Sequence, residues 1–326
     1  MGIQASINQN KHFILTNLGN AFRNYSVYFL LGLILVICAV FLPGFITGNH
    51  LLNLLRQTAP LGVAAAGQTA TIIAGSFDLS VGATMGLVNV ILAKPLFTNG
   101  AMAVVGILLC LMVGALIGWI NGIGIAKFRI SPLIMTMGTM LSVQGITLIL
   151  SKGAPGGSVS GMVRFLGAGK LFMIPVAFIV WMGVTLLVHF ILTKTNLGRM
   201  LFATGGNPRA AFMSAVRTSD VTVISHICCG ITASLAGVML SGYIGTGALG
   251  LGDDYMMNSI AAVVIGGTRL EGGAGNVTGS AAGAYFLLLL LSLFTMFNLG
   301  YPVKLILQGG IIIAAMTMYR RRSAAN

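Results

Sequence analysis

The chain has 326 residues, 56% of them hydrophobic and 7% charged, with a mean hydropathy of +0.97 and a formal net charge of +13. That balance excludes a soluble globular domain and indicates an all-α polytopic membrane protein, because helices satisfy their own backbone in lipid. The basic excess does not indicate nucleic acid: no basic run is interleaved with aromatics, and Arg320, Arg321 and Arg322 form the only run of adjacent bases.

A polar arm with Lys11 and Arg23 precedes the first predicted span, about Tyr25 to Leu42, which Pro43 and Gly44 end. The arm has no apolar core or small-residue cleavage site, so no cleaved signal peptide is expected. The second span, about Leu51 to Ser76, is interrupted by Pro60, Gly62, Gly67 and Gly75 and holds Gln68, Thr69 and Thr71. Polar groups at this depth seldom face lipid, so they either line a pathway or pack between helices. Gln68 and Thr69, with Gln144 further on, are the candidate pathway residues.

Gly75-Ser76-Phe77-Asp78-Leu79-Ser80 then leads into a third span starting near Val81 and ending at Ala93. Asp78 or Ser80 is placed to cap it, and Gly82 and Gly86 have the spacing of close helix approach. Asp78 is the only acid in the first 219 residues, so no general acid/base pair exists in that half. The fourth span, Ala101 to Ile120, carries Gly106, Gly114, Gly118 and Gly122 in packing register. The fifth runs from Ser131-Pro132 to about Leu150, and Ser151 to Lys170 reads as an external Gly/Ser-rich loop.

A sixth span, Leu171 to about Leu192, leads to Thr193–Asp220, the one long cationic interruption of the second half. There Gly205 and Gly206 form the entrance to a short helix, with Asn207 as N-cap and Pro208 at its first position. The helix is expected from Asn207 to about Arg217. Ala211 and Ala215 share one face, Phe212 and Val216 an adjacent one, and Arg209 and Arg217 point elsewhere, with Ala210 between them. Two readings stand: a docking helix, or a solvated loop whose arginines set topology.

The seventh span, Val221 to Tyr243, contains His226, Cys228 and Cys229, but no second histidine or carboxylate stands near enough to suggest a metal site. With Cys38 and Cys110, the cysteines give no disulfide framework. A glycine-rich outer loop with Asp253 and Asp254 precedes a short eighth segment, about Met256 to Gly267. Gly266, Gly267, Gly272 and Gly273 then form a hinge before the ninth span, Val277 to Asn298, echoing the Gly75–Gly82 stretch and suggesting two loosely related halves. Arg269 and Glu271 are expected to pair. Val303 to Tyr319 is the tenth span. Ten crossings with both ends in the cytoplasm place twelve bases inside and six outside. The whole chain reads as one transmembrane domain, 1–326, with 193–220 a cytoplasmic loop inside it.

No Gly-Lys-Ser/Thr phosphate loop is present, so ATP hydrolysis by this chain is not expected. Four motifs in order carry a resemblance: Asp78-Leu79-Ser80-Val81-Gly82; Asn121-Gly122 followed by Ser131-Pro132; Leu197-Gly198-Arg199 with Ala203-Thr204-Gly205-Gly206-Asn207; and Ile260 to Thr268 with Gly272-Gly273 and Gly275. Over about residues 50–318 the chain resembles the permease subunit of ribose-type bacterial sugar ABC importers, in the branched-chain amino acid/ribose-type binding-protein-dependent superfamily. The resemblance implies an inner-membrane subunit for a neutral pentose or hexose, with no cofactor of its own. The implied partners are a second permease subunit, membrane lipid, a cytoplasmic ATPase holding ATP and Mg, and a periplasmic sugar-binding protein. It also implies that Asn207 to Arg217 is the coupling helix, although Pro208-Arg209 departs from the acidic or small residue common in the family. The alternative is an ion-coupled secondary transporter of a small polar solute.

Overall fold

The computed structural model describes residues 26–42 and 44–323, so the expectations for Lys11, Arg23 and Pro43 lie outside it, as do those for the side chains of Arg320, Arg321 and Arg322. The described residues fold into thirteen α-helices. They are α1 (Ser26–Phe41), α2 (Gly48–Ile73), α3 (Val81–Leu92), α4 (Gly100–Ala126), α5 (Pro132–Ser151), α6 (Gly161–Ala168), α7 (Val176–Lys194), α8 (Asn196–Gly206), α9 (Pro208–Met213), α10 (Thr218–Ile244), α11 (Asp253–Ile265), α12 (Val277–Met296) and α13 (Tyr301–Ser323). Five of them, α4, α5, α7, α10 and α12, are long and apolar enough to cross a membrane.

Two helices form the axis of the bundle. From Thr58 to Ile73 every residue of α2 is buried, Pro60 and the small residues Ala64, Ala65, Ala66 and Gly67 included. The other axis, α10, packs against α2, α3, α4 and α6. The close packing expected of the α4 glycines is present. A Cβ on Gly114 would lie 2.0 Å from Ser234 Oγ, one on Gly118 2.1 Å from the His226 carbonyl oxygen, and one on Gly122 2.6 Å from Val223 Cα. Only a missing side chain lets the two backbones meet this way.

The third and eighth segments are short helices. α3 has 12 residues and α11 has 13, or about 18 to 20 Å at 1.5 Å per residue, against a hydrocarbon core of about 30 Å. α3 is buried along nearly its whole length, and α11 from Ala261 to Ile265. Interrupted backbone at membrane depth is thus covered by protein, where its polar groups find partners.

One expected loop and the expected start of the sixth span at Leu171 differ from the structure, where that helix begins at Val176. Ser151 to Lys170 holds α6, whose Gly167 meets Gly242 of α10 backbone to backbone, and a two-stranded hairpin follows it, β1 (Lys170–Leu171) with β2 (Ile174–Pro175). At the edge of the bundle α5 packs chiefly on α3 and α4 and leaves Leu133, Met137, Leu141 and Ile149 exposed.

Candidate functional site

Both glycine breaks expected from sequence are built by the same local rule. α2 closes with the Gly75 N–H donating to the Ile72 carbonyl (2.9 Å) and the Ser76 N–H to the Thr71 carbonyl (3.0 Å). α11 closes with Gly267 N–H to Val264 (2.9 Å) and Thr268 N–H to Val263 (3.2 Å). These are paired Schellman bonds, and they require a left-handed residue just past the cap. Glycine supplies it at no steric cost: φ is +83° at Gly75 and +93° at Gly267. The sequence echo between the two breaks therefore has a structural counterpart.

The breaks converge on the end of α8. A Cβ on Gly205 would lie 1.8 Å from the Ile73 carbonyl oxygen and 2.7 Å from the Gly273 nitrogen, and one on Gly273 would lie 2.5 Å from Gly206 Cα. One on Gly272 would lie 2.8 Å from Gly75 Cα and 2.9 Å from the Gly205 carbonyl oxygen. The Gly273 N–H donates to the Ile73 carbonyl at 2.9 Å, tying the second break to the end of α2. Three backbone segments, 73–75, 205–206 and 272–273, thus meet without intervening side chains, and α9 begins two residues further on.

The sequence placed the start of α9 and misplaced its end. Asn207 caps it, its Oδ1 accepting from the Ala210 N–H at 3.0 Å, and Pro208 takes the first position. Gly205 and Gly206 are not a loop entrance; they are the last turn of α8. The helix stops at Met213, not near Arg217. Ala215 N–H bonds the Phe212 carbonyl and Val216 N–H the Ala211 carbonyl, both at 3.0 Å, with Ala215 at φ +61°. This is a third Schellman end, so Ala215 and Val216 do not continue the faces of Ala211 and Phe212. Ala211 is buried, whereas Phe212 and Met213 are 68% and 81% exposed. Arg209 is exposed on the same element, and Arg217 sits 3.5 Å from Asp220 across a solvated i,i+3 pair that contributes little.

Asp78 does not cap α3. The N-cap is Ser80, with no side-chain cap bond. Asp78 Oδ1 instead accepts from the Ser80 N–H (2.8 Å) and Ser80 Oγ (2.6 Å), and Asn121 Nδ2 of α4 lies 3.3 Å from both carboxylate oxygens. His226 of α10 places Nδ1 3.5 Å from Asp78 Oδ2 and Nε2 2.8 Å from Ser76 Oγ. Ser76, Asp78, Ser80, Asn121 and His226 are each at most 4% exposed. The order serine, histidine, aspartate is that of a hydrolase, but no acyl substrate reaches so buried a serine. The array clamps the first break onto α4 and α10, and the interior leaves its charge no other compensation. His226, Asn121 and Ser76 were not readable as partners from sequence, since 43 to 150 residues separate the contacts.

The remaining candidates lie apart. Leu79, Val81 and Gly82 are buried, Gly82 against the Gly252 carbonyl; Gly266 packs on Gly279. Gln68 and Thr69 are fully buried and reach no surface. Cys229 Sγ donates to Gln68 Oε1 at 3.3 Å, and Thr69 Oγ1 bonds the Ala65 carbonyl and Ser280 Oγ. In this arrangement they join helices to one another. Gln144 is half-buried on α5, its Nε2 donating to Asp253 Oδ1 at 3.4 Å. Among the described residues the ion pairs are Arg217–Asp220 and His226–Asp78, so Arg269 and Glu271 do not pair.

Residues 50–316 match the family model for the branched-chain amino acid transport system / permease component. The chain is 33% identical over 297 residues to the ribose import permease protein RbsC of Bacillus subtilis (strain 168), covering 90% of this chain and 91% of that one. It is 31% identical over 295 residues to RbsC of Escherichia coli (strain K12), covering 89% and 91%. It is also 31% identical over 280 residues to the autoinducer 2 import system permease protein LsrD of Escherichia coli O9:H4 (strain HS), covering 84% of each. No solved structure matches the chain. With buried helix breaks, apolar spanning helices and a family match over most of its length, the chain is a multi-pass membrane protein that belongs to the branched-chain amino acid transport system / permease component family.

Proposed function

We propose that this chain is the membrane subunit of an ATP-driven, binding-protein-dependent importer of a neutral sugar of pentose or hexose type, in the bacterial inner membrane. It crosses ten times with both termini in the cytoplasm, pairs with a second permease subunit to form the pathway, and takes ligand from a periplasmic sugar-binding protein. α8 and α9 receive the motion of a separate ATPase that holds ATP and Mg. The observation that supports this reading is the convergence of Gly205 and Gly206 with both helix breaks. A displacement of α9 reaches 73–75 and 272–273 with no compressible side chain between, so two broken helices respond together. The exposed Phe212 and Met213 give a partner groove an apolar anchor of the kind that dominates interfaces. The ribose permeases and LsrD are named as import components, which agrees with this direction of transport.

The test is reconstitution of the full chain in liposomes with and without its co-purifying ATPase. Uptake of radiolabelled ribose or another neutral sugar is expected only with ATPase, ATP and binding protein present. Uptake driven by a proton or sodium gradient on the isolated chain would instead establish the secondary transporter. Unimpaired uptake after deletion of Pro208–Met213 would remove the coupling role of α9.

A further inference from the structure

The outer faces of α4 and α5, with α3 behind them, enclose a groove of about 670 Å³ that the transport reading does not use. Its lining includes Ile91, Leu116, Ile120, Ile134 and Ile146, with Leu150 at one end and Ile130 at the other. Two hydroxyls occur in it, and both are committed to their own helix. Thr139 Oγ1 donates to the Met135 carbonyl at 3.0 Å and Ser142 Oγ to the Gly138 carbonyl at 2.9 Å. A sugar would find no free polar group there, whereas a hydrocarbon chain needs none. Between Ile130 and Leu150 the groove follows α5 for about 30 Å, the thickness of a bilayer core.

The Ile130 end is marked by charge. Lys127, Phe128 and Arg129 form the exposed turn between α4 and α5, Phe128 being 72% exposed. Neither base has an ion-pair partner among the described residues, and no acidic residue occurs between positions 79 and 219. Two cations flanking an aromatic at the mouth of an apolar groove match an anionic headgroup above an acyl chain. At the opposite end Lys94 is already engaged, its Nζ donating to the Leu150 carbonyl. We infer that the α3–α4–α5 groove is a binding site for one anionic phospholipid, one of its two acyl chains along Ile134, Gly138 and Ile146 and its phosphate held by Lys127 and Arg129.

The full chain, purified in mild detergent and incubated with equal phosphatidylglycerol and phosphatidylethanolamine, tests this by native mass spectrometry of retained lipid. Wild type is expected to retain phosphatidylglycerol preferentially and to lose that preference as salt rises. Lys127→Gln with Arg129→Gln is expected to cut its retention about five-fold for each base removed. Gly138→Leu, at a position where an added Cβ meets no atom within 4 Å, fills the groove and is expected to reduce retention of both lipids. Three results would each overturn the site: equal retention of the two lipids by wild type, unchanged retention in the double variant, or disulfide-linked dimers of Gly138→Cys in native membranes. The last would give the groove to a second copy of the chain. The basic side chains are exposed and Gly138 opens onto free space, so all these variants are expected to fold.

Discussion

Replacing Gly205 by alanine puts a methyl group where three backbones meet. The new Cβ would lie 1.8 Å from the Ile73 carbonyl oxygen, against about 3.4 Å for ordinary contact, so that oxygen must retreat by roughly 1.6 Å, the difference of the two. The oxygen also accepts the 2.9 Å bond from the Gly273 N–H, which a shift of this size breaks. Overpacking costs about 1 to 3 kcal/mol, and a buried amide left without a partner costs a similar amount. The expected destabilisation is about 2 to 6 kcal/mol. The neighbouring position is the control: a Cβ on Gly206 meets only Gly273 Cα, at 3.8 Å, and Gly206→Ala should be close to neutral. The assay is the apparent melting temperature of each purified variant by intrinsic fluorescence, together with sugar uptake by the reconstituted complex. A Gly205→Ala protein that melts and transports like Gly206→Ala would show that the three segments do not meet as described.

Asp78→Asn removes the charge from the buried array while keeping its volume. The loss should be about 3 kcal/mol, as for a buried pair broken on one side, read as a lower melting temperature and less folded protein in the membrane. Phe212→Ala separates folding from docking: the side chain is 68% exposed, so melting should be unchanged. Co-purification with the ATPase should weaken about thirty-fold, as for an interface anchor worth about 2 kcal/mol, and intact co-purification would deny α9 its partner. Ala215→Gly should raise stability by about 1 kcal/mol, because Ala215 holds φ +61° at a helix end that favours glycine; a lower melting temperature would contradict the left-handed assignment.

What the sequence made legible was local chemistry. Asn207-Pro208 started a helix because a cap and a ring-fixed first residue act over three positions, and the α4 glycines implied contact because their spacing repeats on one face. Gly75 and Gly267 were recognisable as breaks for the same reason. The end of α9 was hidden because Ala215 adopts a conformation for which alanine gives no signal. Gln68 and Thr69 left two readings open, since polarity in a span does not say whether the neighbour is a solute or another helix. The clamp on Asp78 could not be found locally at all, because its partners come from α4 and α10 and only the fold brings them together. Thr69 with Ser280, 211 residues apart, is the same lesson.

The clamp also orders events during synthesis. Asp78 leaves the ribosome 148 residues before His226, an interval of about 7 to 30 s at 5 to 20 residues per second. Throughout that time the carboxylate has Ser80 and, later, Asn121 as its partners from the array. The first break therefore closes onto its histidine only after α10 has been made, and a chain truncated before Thr218 carries the Asp78 carboxylate without the imidazole it meets in the fold.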